Sequence, residues 1–211
     1  RKELAPLVYQ SRDWTHGVLG GAGGASETTA AMVGDVGGVR RDPMAMKPLC
    51  GYNFADYFAH WLSFSERSDT LPGIFHVNWF RQDEDGRFLW PGFGENLRVL
   101  KWIIDRCEQR VDAAETAIGY LPAKDEFHTD GRAIDPADLD ALTTIDPAQW
   151  IEEMDAIGDY LDSYGERLPD ALKAELERVK TALGGGASER AACSSDLVRS
   201  PGSPLSRSPC S

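Results

Sequence analysis

The chain has 211 residues, 42% hydrophobic and 27% charged, values that are ordinary for one soluble globular domain or one large piece of a bigger domain. Its net charge of −12 opposes sequence-independent binding to a polyanionic backbone, so we expect no nucleic-acid partner. No apolar run approaches the roughly 18–20 residues that span a bilayer, so we expect no membrane association. The four cysteines fit neither a zinc pattern nor a redox pair, which favours reduced thiols in a cytoplasmic protein.

The N-terminal part of the chain predicts short strands followed by a glycine-rich segment. It begins RKELAPLVY, inside what looks like a structured segment, so we expect a fragment of a longer protein. Residues 7–9 and 17–19 resemble short strands. Residues 20–38 are rich in glycine and alanine and show no apolar period. They match neither a Walker A loop nor a Rossmann fingerprint, and they predict either a flexible connection or a lid that closes over a site.

The central part predicts a hairpin between two helices. Asn53 resembles an N-cap, and apolar residues recur after it with helical spacing to a predicted end near Glu66. Residues 74–80 and 87–90 resemble strands joined at an Asp85-Gly86 turn. Asn96 is a candidate cap for a second helix over residues 97–110. The apolar stripe of that helix comprises Val99, Leu100, Ile103, Ile104 and Cys107.

The C-terminal part predicts three more helices and a tail. Residues 119–134 are predicted to be mostly loop. Asp135-Pro136 and Asp146-Pro147 each resemble an N-cap followed by proline at the first helical position. A last helix is predicted over residues 169–183. Residues 184–211 contain eight Ser, four Gly and three Pro, a composition that predicts disorder. We therefore expect an ordered part over 1–183 and a disordered tail over 184–211.

One short segment concentrates the aromatic residues of the chain. Residues 75–96, FHVNWFRQDEDGRFLWPGFGEN, hold four of its 8 Phe and two of its 6 Trp. Phe80 and Phe88 flank the predicted turn, Phe93 lies between two glycines, and Asn96 carries an amide that both donates and accepts. Aromatic faces with an amide suit a purine base, at about 1–3 kcal/mol per stacking contact. The residues alone leave two interpretations open, an aromatic core face or a binding site for a flat ligand.

The four histidines show no metal-ligand spacing and no catalytic arrangement with serine or cysteine. His60 lies within the first apolar helix, and we expect it to be packed there. The role of His76, on the first strand of the predicted hairpin, stays open.

Read in chain order, several long segments resemble one known family. They are PLVYQSRDWTHGV, SETTAA, RRDPMAMKPLCGYNFADYFAHWL, IFHVNWFRQDEDGRFLWPGFGEN and RVLKWIIDR. Together they closely resemble the C-terminal part of GTP-dependent phosphoenolpyruvate carboxykinase, over about residues 1–183. The resemblance implies an α/β fold, a mixed sheet with helices that forms the C-terminal portion of the nucleotide-binding lobe. The family converts oxaloacetate and GTP to phosphoenolpyruvate, GDP and CO2 in gluconeogenesis, with manganese or magnesium as cofactor.

The resemblance also implies a guanine site in the aromatic segment. In the family, phenylalanines that match Phe80 and Phe93 sandwich the guanine ring, and a third, matching Phe88, lines the pocket. The asparagine that matches Asn96 hydrogen-bonds the base.

Three further residues are implied to bind GTP. Trp79 and Gly92 belong to the same aromatic segment. Arg1 matches one of two adjacent arginines near the phosphate site.

The family also has an Ω-shaped lid, which here corresponds to the residues between Thr28 and Gly38, just after Ser26 and Glu27. Lid closure would protect the enolpyruvate intermediate from protonation. Where animal-type members carry Met-Arg, this chain has Gly24-Ala25, so an arginine contact to the N-terminal lobe is lost.

The phosphate loop, the metal ligands and the arginines that hold oxaloacetate all lie upstream of the matched region in the family. We therefore expect no metal ligands in this chain and no carboxykinase activity of the chain alone. We also expect a monomer. The alternative is a non-catalytic purine-nucleotide-binding module, or a defunct fragment that binds nothing.

Overall fold

A computed structural model of the protein describes residues 3–27, 39–123, 126–127 and 134–195. Arg1, the expected lid between Thr28 and Gly38, and the last part of the expected tail lie outside the described residues. Within them, no helix has both the length and the apolarity needed to cross a membrane. Cys50 and Cys107 are free thiols.

The strands form two small antiparallel sheets. They are β1 (Val8–Gln10), β2 (Ala25–Glu27), β3 (Val39–Arg41), β4 (Phe75–Val77), β5 (Ala114–Thr116) and β6 (Gly119–Leu121). The larger sheet has the order β4-β1-β6-β5, and the smaller one pairs β2 with β3. All of these pairings are antiparallel. Together with the helices they confirm the α/β class.

The helices begin where the sequence carries capping residues. They are α1 (Trp14–Ala22), α2 (Phe54–Leu62), α3 (Asn96–Cys107), α4 (Pro136–Thr143), α5 (Pro147–Asp162) and α6 (Asp170–Ser195). The side chains of Asn53, Asp135 and Asp146 accept hydrogen bonds from the N–H groups two residues later, which confirms the three predicted caps. A short 3₁₀ turn continues α2 to Glu66. Helix α6 runs past its predicted end at residue 183 to Ser195, while the domain boundary at 183/184 stays a prediction.

The predicted strand over residues 17–19 is wrong, because these residues belong to α1. The side chain of Asp13 caps this helix by accepting from the N–H of His16 at 2.9 Å. Its glycines serve close packing: a Cβ on Gly17 would lie 2.3 Å from Cδ1 of Ile74. Glycine therefore occupies these positions of the helix because neighbouring side chains fill the space where a Cβ would lie.

The prediction that residues 119–134 are mostly loop did not include a strand at their start, where β6 occupies Gly119–Leu121 and pairs with β5. Gly119 has φ of +120°, and a Cβ there would lie 2.3 Å from the carbonyl oxygen of Gln10. Only glycine allows β6 to approach β1 this closely. The strand has three residues and pairs both with the adjacent β5 and with Gln10 of the distant β1.

Two apolar clusters lie on opposite faces of the larger sheet. Tyr9 belongs to the cluster formed with α1, α2, α5 and α6, and its neighbour Val8 belongs to the other. The second cluster packs α3 and α4 against the sheet. Its fully buried members include Leu7, Trp90, Val99, Phe127 and Leu142.

Helix α3 buries only part of the predicted stripe, because Val99 and Ile103 pack in the second cluster and the other three residues do not. Val99 and Trp102 are buried, whereas Leu100 and Ile104 are 45% and 54% exposed, and Cys107 is also exposed. The helix is apolar on both faces, so periodicity could not identify the inner one.

Candidate functional site

The aromatic segment forms a narrow hairpin that follows β4. The Arg81 carbonyl accepts from the N–H of Leu89 at 2.9 Å, and the Asp83 N–H donates to the Arg87 carbonyl at 3.0 Å. The predicted turn is confirmed, with Gly86 at φ +82°. The predicted strand pairing is wrong: β4 pairs with β1, and residues 87–90 contribute only one bridge, from Phe88 to Gln82.

Two residues attach this hairpin to the rest of the fold. Arg87 donates to both carboxylate oxygens of Asp138 on α4, at 2.7 and 2.8 Å. This hydrogen bonding lowers the pKa of Asp138. At the other end, the Asn78 side chain donates to the Ala5 carbonyl at 2.8 Å and accepts from the Phe80 N–H at 3.1 Å. Sequence reasoning missed Asn78, although an asparagine at the end of a strand is a known turn signal.

The rings of Phe80 and Phe88 meet on the surface of the hairpin. Their centroids are 6.4 Å apart with an interplanar angle of 66°, an edge-to-face arrangement. Phe80 is 58% exposed and Phe88 is 52% exposed. The hairpin therefore exposes two aromatic rings to solvent. Packing of the core does not account for their position.

The remaining aromatic residues of the segment serve the core. Trp90 is buried, and Trp79 packs on it with centroids 6.5 Å apart. Phe75 contacts Trp102 edge to face, as expected for a core residue. Val77 alternates with Phe80 along the strand and would be core by the same reasoning as Phe75, but this prediction is wrong, because the Val77 side chain is 37% exposed on the edge strand of the sheet.

The loop after Trp90 holds a third aromatic ring in solvent. Gly92 has φ +75° and ψ −164°, a conformation that is essentially restricted to glycine. Phe93 has φ +46°, which is unusual for a bulky residue, and it is 95% exposed. Such conformations cost on the order of 1–3 kcal/mol each and cluster at functional sites.

Asn96 is not the cap of α3 that the sequence predicts. It is the first residue of the helix, Glu95 takes the cap position, and no side chain caps it. The Asn96 side-chain oxygen instead accepts a hydrogen bond from the indole N–H of Trp90 at 2.7 Å. This bond places the amide at the junction between the hairpin and α3.

A cavity of about 340 Å³ lies beside the hairpin, between β4, the end of α1 and α5. Phe80 and His76 contribute to its wall. The His76 ring stacks on Tyr9 at 4.6 Å, and its Nε2 lies 3.0 Å from the Ser11 hydroxyl oxygen. Burial, and secondarily the charge of nearby His16, lowers the pKa of His76 to about 4.

The base of the expected lid is attached at the rim of this cavity. In the β2–β3 ladder Glu27 pairs with Val39 and Ser26 with Arg40, so both ends of the intervening segment are held side by side. The next residue, Arg41, donates to the carboxylate of Glu153 at 2.7 Å and to the Gly23 carbonyl at 2.9 Å.

Two other sequence expectations concern histidines and metals. His60 is exposed, with an edge contact to Phe64, so the expectation that it is packed is wrong. Across the described ranges, no group of three or more His, Cys, Asp or Glu could hold a metal ion.

Comparison with known proteins identifies the family. The model of the phosphoenolpyruvate carboxykinase C-terminal P-loop domain matches residues 1–182. The chain belongs to this family. Proteins named phosphoenolpyruvate carboxykinase [GTP] are similar to it: that of Neocallimastix frontalis is 52% identical over 190 residues, that of Chlamydia pneumoniae 51% over 185, and that of Paenarthrobacter aurescens 47% over 186.

The carboxykinase relatives are much longer than the matched region. Each of the three alignments covers 87% of this chain and 31% of the relative. The chain therefore spans about a third of the length of the curated carboxykinases that it matches. The guanine-binding roles that the resemblance implies for Phe80, Phe88, Phe93 and Asn96 stay predictions.

Proposed function

We propose that this chain is the guanine-recognising part of a GTP-dependent phosphoenolpyruvate carboxykinase, the enzyme that converts oxaloacetate and GTP to phosphoenolpyruvate, GDP and CO2. The observation that carries the proposal is the exposed aromatic surface of the hairpin, in a chain whose relatives are named for GTP. A folded protein rarely leaves three phenylalanines of one short segment in solvent without a ligand or partner for them.

The proposal assigns a role to five residues of the aromatic segment. Phe80 and Phe93 stack on the two faces of the guanine ring, and Phe88 lines the edge of the site. Asn96 hydrogen-bonds the base. Gly92 sets the backbone that exposes Phe93, since its conformation is closed to other residues. Two stacking contacts of about 1–3 kcal/mol each sum to about 2–6 kcal/mol, which corresponds to a base-only Kd between roughly 40 μM and 30 mM.

Trp79 acts behind this surface. It packs on Trp90 and thereby fixes the backbone immediately before Phe80.

The lid and the phosphate site are the less direct part of the proposal. The segment between Thr28 and Gly38, entered through Ser26 and Glu27, is assigned as the lid because of the family resemblance. The β2–β3 ladder supports this, since an Ω-shaped loop needs its ends close together. Arg1 is assigned to the phosphate side of the nucleotide on the resemblance alone.

The catalytic setting follows from the family. A divalent cation, manganese or magnesium, supplies charge neutralisation at the phosphates when bound. We derive no step through it, because the described residues offer no ligand set. We also assign the full enzyme a cytoplasmic role in gluconeogenesis, and this chain a monomeric state. Phosphoenolpyruvate formation by the 211-residue chain alone is expected to be undetectable, and clear turnover would refute that expectation.

A comparison of GDP and ADP titrations tests the guanine site. Chemical-shift titration measures millimolar dissociation constants, and we expect the wild-type chain to bind GDP more tightly than ADP. Phe93→Ala removes one stacking face, about 1–3 kcal/mol, and is expected to weaken GDP binding about 5- to 150-fold. Leu97→Ala is the matched control, because Leu97 is also exposed, at 68%, and lies one helical turn further on.

The outcomes separate the proposal from its alternative. Equal affinity for GDP and ADP would favour a purine-binding module without guanine recognition. No measurable binding, or an unchanged Kd in Phe93→Ala, would contradict the site.

A further inference from the structure

The hydrogen bond between Trp90 and Asn96 fixes which way the asparagine amide points. The indole N–H is a donor and cannot accept, so the amide atom that faces it at 2.7 Å must be the oxygen. The amide nitrogen therefore points away from Trp90. The orientation of Asn96 is set by the protein before any ligand arrives.

Trp90 is itself held firmly enough to impose this orientation. It is 2% exposed and lies in the second apolar cluster. Its ring meets Phe127 at 6.1 Å and Trp79 at 6.5 Å. Turning the indole away would leave a buried donor without an acceptor, which is unfavourable.

The orientation of one amide is enough to distinguish two purines. Guanine presents an acceptor, O6, next to a donor, N1–H. Adenine presents the reverse order, a donor amino group next to the acceptor N1. An amide that rotates by 180° matches either edge, whereas an amide held in one orientation matches one edge and opposes the other.

We propose that Trp90 is a specificity-determining residue that acts through Asn96, by holding its amide in the orientation that pairs with guanine and opposes adenine. This rests on the proposed function, in which Asn96 meets the base. The Asn96 oxygen accepts from Trp90 with one lone pair and keeps the second for the base, while its NH2 group donates to O6. Trp90 touches no ligand in this scheme.

Trp90→Phe tests the inference, because it keeps an aromatic ring in the core and removes the N–H. GDP and ADP dissociation constants are measured by chemical-shift titration of the 211-residue chain. We expect the preference for GDP over ADP to fall about fivefold to tenfold, mainly through tighter ADP binding, since a freed amide can turn. The GDP constant is expected to change less than about threefold, because the Asn96 contact remains available.

Trp102→Phe is the matched control. Trp102 is buried in the same cluster at 3% exposure, and its indole N–H has no hydrogen-bond partner among the described residues. Its substitution changes core volume equally and leaves Asn96 untouched, so the GDP/ADP ratio should stay at the wild-type value.

The outcomes distinguish this inference from the proposed function. A wild-type GDP preference that survives in Trp90→Phe overturns the inference and leaves the function standing; a wild-type chain with no preference overturns both. If Trp90→Phe does not fold, the hydrogen-exchange rate of the Trp90 indole N–H is compared between the wild type and Asn96→Ala. We expect it to be at least about fivefold slower in the wild type than in Asn96→Ala, and equal rates would overturn the inference.

Discussion

Removing Arg41 should destabilise the protein strongly, because Arg41 neutralises a buried acid. Its guanidinium lies 2.7 Å from a Glu153 carboxylate that is only 3% exposed, and the Arg41 side chain is 12% exposed. The same nitrogen also donates to the Gly23 carbonyl at 2.9 Å. Arg41→Met keeps most of the aliphatic volume and removes both hydrogen bonds.

The magnitude follows from the burial. Breaking a buried ion pair by removing one partner costs about 3–5 kcal/mol, a large fraction of the 5–15 kcal/mol that stabilises a typical domain. For a chain of this length, each kcal/mol lowers Tm by roughly 2–4 °C, so we expect a loss of roughly 6–20 °C. Replacing both partners by apolar residues is often neutral, so Arg41→Met/Glu153→Met should recover most of the loss.

Urea unfolding of the wild type, both single variants and the double variant completes a double-mutant cycle. Arg87→Met is the comparison for a less buried pair: Arg87 is 58% exposed beside Asp138, and its loss should cost clearly less than the loss of Arg41. A loss below about 1 kcal/mol in Arg41→Met, or a double variant less stable than both singles, would refute the reasoning.

Three further predictions follow from single residues. Because His76 takes up a proton near pH 4 when folded and near pH 6.5 when unfolded, the unfolded state binds more protons in between. Unfolding free energy should therefore fall by up to about 3 kcal/mol as pH drops through this window, and His76→Phe should flatten the urea-unfolding profile. Gly20→Ala would place a Cβ 2.6 Å from the His76 ring and should cost about 1–3 kcal/mol, whereas Gly21→Ala, which meets only the flexible Met44 side chain at 3.2 Å, should be neutral or stabilising in thermal unfolding. Gly92→Ala, at φ +75°, should cost about 1–3 kcal/mol although its Cβ meets nothing, and an unchanged Tm would contradict this.

Local signals predicted much of the fold, and distant contacts account for the errors. The caps Asn53, Asp135 and Asp146 were predictable because a capping side chain acts on N–H groups only a few residues away. Residues 17–19 are helical and not a strand, in a segment where Gly17 makes room for Ile74, some 57 positions later. Strand β6 pairs with the adjacent β5, but its close approach to Gln10 of β1 is a distant contact that the local sequence does not predict.

The candidate site shows the same division. The exposure of Phe80, Phe88 and Phe93 agrees with what their positions beside turns and glycines predict. The role of Trp90 was not predictable, since its hydrogen bond to Asn96 replaces the capping role that the sequence favours for that asparagine. A side chain with two possible partners cannot be assigned from its neighbours in sequence alone.

The glycines of α1 also bear on the order in which the protein folds. Gly17, Gly20 and Gly21 fall within a helix of nine residues, and each lowers intrinsic helix stability by about 1 kcal/mol relative to alanine. Such a segment is not helical in isolation and forms only when Ile74 and His76 arrive to fill the space that its glycines leave. Helix α1 is thus expected to form only once β4 is in place. When β4 separates locally, α1 should lose its helical hydrogen bonds, so its amide protons should be among the first to exchange.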